Sequence, residues 1–465
     1  MIIYRSNVIT VHNPTKKLMA WAAKELVVAN PDYAKKVRMG FWTGNTPKII
    51  CLYEKDGDTL YLPYGALDSM PKDIKEDAIV VDMFAEPHPV NFKCNAPLYD
   101  YQEKAVQEMF IARHGILQSP AGSGKTNMAL ALIGELGLKT LWLCHTLDLV
   151  KQTRDRAKQY MDESLIGTIS EGKVDIGSGI TFATVQTMCK IDLQRYRNEW
   201  NVIVCDECHR VAGSPTAMTQ YQKVLSNLSA RHKYGLSATV HRADGMIKAT
   251  FALIGNVAYT VPDEAVQDKI MKVGIKPIST GIGISDRCLN GDGTLNYAGL
   301  ITYLTENRER NLLIANQIIK DYDKHILVLS DRVDHLLTLK GMVEDLCPGF
   351  MGWTAEIDGK SGKTYREQQL FLMRSGNKTV LFATYALCKE GLDIPILDRL
   401  YMATPVKDYT VTVQSIGRIA RTCEGKSNPI CYDFVDNIGY LQKAYKTRWS
   451  HYKKAGCYLC EEHTE

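Results

Sequence analysis

The chain has 465 residues, with 56 Lys and Arg against 52 Asp and Glu, a formal charge of +4 at pH 7, 45% hydrophobic residues and 23% charged ones. At roughly 150 residues per domain this predicts two to four domains with cores of their own, and it excludes a largely disordered, low-complexity or collagen-like chain. No apolar run approaches the roughly 18 residues of a membrane span, so no membrane is expected as a partner, and a nearly neutral charge names no other.

In chain order, the opening MIIYRSNVIT lacks the charged start and long apolar run of a secretory leader, so none is expected. Residues 1–95 hold a β-like start, a helix-like segment at 16–29 and β-like runs at 49–53 and 59–63. They predict a small α+β accessory domain with a DNA-binding role. Within it, Lys35, Lys36, Arg38 and Lys48 interleave with Phe41 and Trp42, a mixture that suits a duplex- or junction-binding face. The alternative is a helix with a solvated face and its aromatics in a core, because 12 Lys and Arg against 11 Asp and Glu leave residues 1–95 not basic overall.

From about residue 115, strand-length apolar runs alternate with helix-like segments. The first series is 114–119, 140–145, 180–185, 201–207 and 232–239; the second is 325–330, 349–354, 379–384, 399–404 and 429–436. Such alternation predicts parallel sheets covered by helices, as two α/β domains at 96–262 and 303–447. The Gly-rich stretch inside 263–302 reads as a connector or hairpin, and 448–465 as a tail. In that tail region Tyr445, Trp449 and Tyr452 have helical spacing and are expected to pack on the second domain. The thirteen cysteines are scattered, and read as reduced, mostly buried thiols of a cytoplasmic protein. Cys457 and Cys460, with His451 and His463 nearby, are ligand types for zinc; a last strand or frayed tail is the favoured reading.

Ser119-Pro-Ala-Gly-Ser-Gly-Lys-Thr126 lies between a strand-like and a helix-like segment. Gly122 and Gly124 let backbone N–H groups of this loop, with Ala121 and Ser123, curl around phosphate oxygens, and a helix N-terminus adds partial positive charge. Lys125 suits the β and γ phosphates and the Thr126 hydroxyl suits Mg2+. A second GKT, inside 359–364, has no apolar strand leading into it and is expected to be a solvated linker. Asp206-Glu-Cys-His209 ends the run NVIVC, which places Asp206 at a strand tip to hold Mg2+ and Glu207 beside it to activate water. Gln414-Ser-Ile-Gly-Arg-Ile-Ala-Arg421 sets Arg418 and Arg421 three apart on a predicted helix, where both reach one target.

The order of these motifs resembles the superfamily 2 helicases, and within them the UvsW/XPB-like branch that includes phage recombination helicases. The resemblance covers about residues 98–440. Tyr101-Gln102 is similar to the adenine-reading motif, Ser119–Thr126 to motif I, 145–152 (HTLDLVKQ) to motif Ia and 184–187 (TVQT) to motif Ib. Asp206–His209 matches motif II in its DECH spelling and Ser237-Ala-Thr239 motif III, with Arg242, Asp244 and Gly245 following as in XPB-like chains. Thr384 with 390–395 (EGLDIP) resembles motif V, and Gln414–Arg421 motif VI. Ser119 departs from the usual first residue of motif I, and Cys208 occurs in both DNA and RNA enzymes.

The resemblance implies two tandem RecA-like domains with ATP and Mg2+ between them. Gln102 is then expected on adenine; Lys125, Thr126 and Asp206 on phosphates and metal; and Gly391, Asp393 and Gln414 on the nucleotide from the second domain. Glu207 would activate water, Arg418 and Arg421 would complete the site, and His209, Ser237 and Thr239 would couple hydrolysis to domain motion. Thr146, Thr184, Gln186 and Thr384 are expected on nucleic-acid phosphates, with ordinary loop capping as the alternative. The expected activity is an ATP-dependent DNA helicase or translocase on branched or forked DNA, in a bacterial or phage-infected cytoplasm. An RNA-dependent ATPase and a nucleotide-switched duplex-binding module are the alternatives.

Overall fold

A computed structural model describes residues 1–91, 94–120, 122–212, 214–240, 245–267, 270–389 and 392–460. The chain divides into two compact units, 1–265 and 266–465.

In the first unit, five strands in the order Glu54–Asp56, Thr59–Pro63, Val8–His12, Ile2–Arg5 and Ile79–Asp82 form the N-terminal sheet, antiparallel except for the last pair. Period-two patterning points Ile3, Ile9, Val11, Leu60 and Leu62 inward. Helix Lys16–Glu25 covers them with Leu18 and Ala22, four apart, and Thr15 Oγ1 caps it by accepting from Leu18 N at 3.2 Å. The helix expected to run to 29 stops at Glu25; the β-branched Val27 and Val28 instead start the strand Val27–Ala29, paired antiparallel with Ile49–Cys51.

This α+β part is not a separate core. Its apolar cluster includes Ala212, Met218, Met246, Ala249 and Ala252 from the following α/β domain. Gly65 N donates to the Ala252 carbonyl at 2.8 Å, and a Cβ at Gly65 would lie 2.2 Å from the Phe251 oxygen, so only glycine fits there. Lys233 is fully buried in the same seam, where Nζ donates to the carbonyls of Leu225 (2.8 Å) and Asn7 (3.3 Å) beneath the Tyr64 ring; burial pushes its ammonium down to about 7.

The α/β sheet of this unit runs Lys173–Asp175, Ile166–Ser170, Ile180–Thr184, Thr140–Cys144, Val202–Cys205, His232–Ser237, Gly115–Gln118 and Val257–Thr260. All neighbours are parallel except the edge pair 166–170 with 173–175. The five expected strands are present; the edge hairpin and Val257–Thr260 are additional. Parallel pairing brings the ends of five strands, at 118, 144, 184, 205 and 237, to one edge.

The second unit holds a parallel sheet in the order Thr354–Ile357, Val380–Thr384, Ile326–Ser330, Arg399–Met402, Ile430–Val435, Gly274–Ser279 and Tyr458–Leu459. Three expectations change here. Gly274–Ser279, inside the expected connector, is an interior strand, its six residues pairing one to one with Ile430–Val435. The expected tail supplies the end of helix Gly439–Lys454 and an edge strand flanked by Cys457 and Cys460. The run 349–354 is a short 3-10 turn, and the strand lies later, at Thr354–Ile357, leading directly into the second GKT loop. A short hairpin does close at Leu289 and Leu295, inside the Gly-rich stretch.

The aromatics of the last helix pack as expected, with Tyr452 buried and Trp449 against the core. Arg448 donates to both Asp433 oxygens at 2.7 and 2.8 Å, and Tyr452 OH joins them at 2.7 Å. Burial opposes the guanidinium charge, but Asp433 more than offsets it, and the net shift is upward.

Candidate active site

The strand Gly115–Gln118 runs into the loop 119–124 and then into helix Lys125–Leu136. Gly122 and Gly124 both adopt left-handed backbone, with φ of 84° and 81°. A Cβ at Gly124 would fall 2.4 Å from Gln102 Nε2. No side chain caps this helix, so its first-turn N–H groups point at the loop's hollow, the arrangement that takes a phosphate. Lys125 Nζ folds back onto the carbonyls of Ser119 (3.1 Å) and Pro120 (3.2 Å), and Thr126 sits half-buried beside it. Ser119 fits the first position because its backbone needs no positive φ and its buried Oγ meets Ser123 Oγ at 2.5 Å. Ala121 lies outside the described residues.

Gln102 is buried and engaged. Its Oε1 accepts from Tyr99 N at 2.9 Å at the start of its helix, and its Nε2 donates to the Ser123 carbonyl at 2.8 Å, where Tyr101 OH also donates at 3.0 Å. The residue expected on adenine therefore also braces the phosphate loop.

Asp206 and Glu207 follow the strand Val202–Cys205. Asp206 is buried; burial first, and Glu207 next, push its carboxyl up to about 6 against the pull of Lys125. Glu207 takes φ 47°, so its N–H turns back to Asp206 Oδ1 at 2.9 Å. Thr153 Oγ1 lies 3.5 Å from Asp206 Oδ2, a neighbour that no motif spacing flagged. The oxygens of Asp206 and Thr126 are the hard donors that Mg2+ takes alongside water and phosphate. Cys208 is fully buried under Gly235, where a Cβ would come within 2.8 Å of its Sγ. The third letter of DECH is a packing position.

His209 Nδ1 lies 3.1 Å from Ser237 Oγ and 3.3 Å from a Glu207 carboxylate oxygen. Ser237 Oγ donates to the Thr239 carbonyl at 2.6 Å and accepts from Thr239 N at 3.2 Å, while Ser237's own carbonyl accepts from Ser119 N at 3.0 Å. One hydrogen-bonded chain thus joins His209, Ser237 and Thr239 to the base of the phosphate loop, with the Glu207 carboxylate in contact with His209. Arg242 and Asp244 lie outside the described residues.

In the second unit, Arg418 and Arg421 do not share a helix face. Helix Tyr409–Ile419 ends at its cap Ala420, so Arg421 falls beyond it because the helical turn is not continued. Both still gather on one loop: Arg418 Nη1 donates to the Leu392 carbonyl at 3.0 Å and Arg421 pairs with Asp393. Gln414 is buried on the same helix, and among the described residues its Oε1 has no hydrogen-bond partner. Glu390 and Gly391 lie outside the described residues.

The second GKT loop is a strand–loop–helix turn after all, between Thr354–Ile357 and Lys363–Arg374, not a linker. Its hollow is filled by its own anion: Asp358 Oδ1 accepts from Lys360 N (2.9 Å), Ser361 N (2.6 Å) and Ser361 Oγ (2.8 Å).

The hydroxyls expected on nucleic acid cap helices. Thr146 Oγ1 accepts from Leu149 N at 3.3 Å, Thr184 Oγ1 from Thr187 N at 3.3 Å, and Thr384 Oγ1 from Leu387 N at 3.5 Å; Gln186 Nε2 donates to the His145 carbonyl at 2.8 Å. Thr146, Thr184 and Gln186 lie at the same sheet edge as the phosphate loop. Lys35, Lys36 and Arg38 belong to an exposed helix of the N-terminal part. Among the described residues Cys457 and Cys460 join no group of three metal-ligating side chains, and His463 lies outside them.

Residues 95–242 match the family "Type III restriction enzyme, res subunit", and residues 309–423 the "Helicase conserved C-terminal domain". A putative ATP-dependent RNA helicase of Acanthamoeba polyphaga mimivirus is 28% identical over 358 residues, 76% of this chain and 66% of the relative, just under two thirds of its length. The DNA 3'-5' translocase XPB2 of Sulfurisphaera tokodaii is 24% identical over 391 residues, 76% of this chain and 84% of the relative. The ATP-dependent DNA helicase uvsW of Enterobacteria phage T4 is 23% identical over 363 residues, covering 75% and 70%. In fold, the chain resembles S. cerevisiae Dbp5 bound to RNA and ADP BeF3, with a TM-score of 0.56 and 16% identity over 78% of this chain and 89% of that one.

Proposed function

The chain belongs to the superfamily 2 helicases, and on that premise we propose that it is a DNA motor working on branched or forked duplexes. It is an ATP-driven helicase enzyme, so nucleotide use and a nucleic-acid partner follow from the family. The finer reading takes Lys125 and the N–H groups of 122–126 as the phosphate cradle. Thr126 and Asp206 hold Mg2+, which supplies charge neutralisation on the phosphates. Glu207 accepts the proton of the attacking water, and Arg418 and Arg421 supply positive charge to the transferring group. Asp393 then exchanges Arg421 for the nucleotide.

The observation that carries this reading is the chain of contacts Glu207–His209–Ser237–Ser119, with Thr239 bonded to Ser237 as well, because it ties the acid beside the water to the loop that holds the phosphate. DNA is favoured by the relatives from phage T4 and Sulfurisphaera, which are named for DNA. The mimivirus relative is named for RNA and supports the second reading, an RNA-dependent helicase. Hydrolysis measured with forked DNA, a four-way junction, linear duplex, single strands and RNA at fixed salt separates the two. Strongest stimulation by forks or junctions, with strand separation or branch migration, is expected; stimulation by RNA alone rejects the DNA reading.

A further inference from the structure

Residues 31–48 leave the first unit between the paired strands Val27–Ala29 and Ile49–Cys51, and Asn30 N donates to the Lys48 carbonyl at 3.0 Å to close the base. Val28 and Leu52 anchor that base in the core shared with the α/β domain. The excursion itself buries little. Helix Pro31–Arg38, capped by Asn30, has no buried residue. Val37, Met39, Phe41 and Trp42 are 56%, 53%, 63% and 87% exposed, so the aromatics are in solvent and the alternative of a core does not apply to them. Scattered exposed apolar residues need no explanation, but four within six positions form a patch.

The tip is also shaped. Met39 N and Phe41 N bond back to the helix, at Lys35 O and Lys36 O, and Lys36 Nζ donates to Thr46 Oγ1 at 2.6 Å. Gly40 and Gly44 turn the chain at φ 67° and 50°, and the Trp42 ring lies so close over Gly44 that a Cβ there would come within 2.9 Å of it. Charge is placed at the same end. Lys35, Lys36 and Arg38 occupy the last turn of the helix and Lys48 directly precedes the closing strand, while the one acid of the excursion, Asp32, sits in the first turn.

We propose that this tip is a stacking wedge for nucleic acid, in which Trp42 and Phe41 stack on the last base pair where a duplex opens into single strands. Lys35, Arg38 and Lys48 bond the flanking phosphates, and Lys36 is a positioning residue held by Thr46. Cations and π faces interleaved over a few residues fit the alternation of phosphate and base, whereas four apolar side chains are too small a surface for a stable protein interface. The class of partner rests on the helicase reading above; the surface and its preference for an opening duplex are added to it. Because the base of the excursion shares the core of the first α/β domain, the wedge moves with that domain.

The test uses the full chain and forked DNA carrying 2-aminopurine either at the first base pair of the fork or about ten pairs inside the duplex. Protein should alter the junction probe and leave the inner one unchanged. Trp42→Ala should lose the junction signal and bind the fork about tenfold more weakly, and Trp42→Phe should restore most of both. Lys35→Ala with Arg38→Ala should flatten the salt dependence of fork binding. Thermal melting keeps folding in view, since so exposed a side chain should shift the transition little. An unaltered junction signal in Trp42→Ala, or an equal signal from the inner probe, overturns the wedge. If acidic lipid vesicles or an acidic protein bind through Trp42 while fork binding ignores it, the surface belongs to that partner and the wedge is overturned. Wild-type hydrolysis stimulated by neither DNA nor RNA would overturn the helicase-substrate reading instead.

Discussion

His209 bridges Glu207 and Ser237 through a single ring nitrogen, Nδ1, which lies 3.3 Å from the carboxylate and 3.1 Å from the hydroxyl. Ser237 spends its own proton on the Thr239 carbonyl, so the proton between His209 and Ser237 belongs to the imidazole. His209 Nδ1–H thus donates to Ser237 Oγ, with the carboxylate of the acid expected to activate water beside it.

Replacing His209 with Ala removes that bridge without touching the phosphate loop. ATP affinity should stay within about threefold of wild type. Nucleic-acid-stimulated hydrolysis should fall about ten- to a hundredfold, as for loss of a hydrogen bond to a charged group. Steady-state hydrolysis with and without forked DNA checks this; undiminished stimulation would show that the bridge carries no coupling.

Gly124→Ala and Lys125→Ala should fail in different ways. The alanine Cβ at 124 meets Gln102 Nε2 in a left-handed backbone, which costs about 1–2 kcal/mol before any clash is relieved. A lower melting temperature and lost binding of a fluorescent ATP analogue are expected. Lys125→Ala leaves the backbone intact, so the melting temperature should hold while hydrolysis disappears.

Deleting residues 1–90 should not leave a sound motor, although an accessory domain would be separable. The cut exposes Met218, Met246, Ala249 and Ala252 and strips Lys233 of Asn7 and Tyr64. Fully burying one such large side chain is worth about 1.5–3 kcal/mol, so several at once decide the outcome. Aggregation or a markedly lower melting temperature is expected in gel filtration and calorimetry. A monomeric fragment melting like the full chain would mean that the cores are independent.

His335 makes the second unit acid-sensitive. It is buried, its Nε2 donates to Asn311 Oδ1 at 2.9 Å and its Nδ1 accepts from Ser330 Oγ at 3.0 Å, so both nitrogens are used by the neutral ring. Burial first, and Arg310 next, press its pKa down to about 3. Unfolded chain takes up this proton below about pH 6.5 and the native state does not. Stability from this group is complete above that pH and falls by up to about 1.4 kcal/mol per unit as the pH drops from 6.5 towards 3. Denaturant unfolding of wild type and His335→Gln across this window should give a shallower slope in the variant.

The strands of both α/β sheets were readable because a parallel strand buried on both faces is a short, nearly continuous apolar run, as in VIVC and ILVLS. Strands without that property escaped. Gly274–Ser279 contains Lys276 and Pro277, and the hairpin 166–175 is short and polar at its edge. The phosphate loop and the DECH run were readable because each is contiguous. Thr153 beneath Asp206, and Asp358 filling the second GKT loop, were not, since they act through contacts that no spacing encodes.

The near-neutral charge of the chain carried no statement about its partner, and the folded protein explains that silence: the cations of 35–48 gather at one exposed tip while acids elsewhere balance them. By itself, the order of the motifs pointed to the helicase resemblance and to two α/β domains, because local chemistry at phosphate loop and acid is written in consecutive residues. Tertiary structure alone decided that the first 95 residues share a core with the first of those domains, that Arg418 and Arg421 meet at one loop from either side of a helix end, and that Trp42 stands in solvent. Those are outcomes of packing between segments far apart in the chain, and burial there is settled by what each side chain meets rather than by its neighbours in sequence.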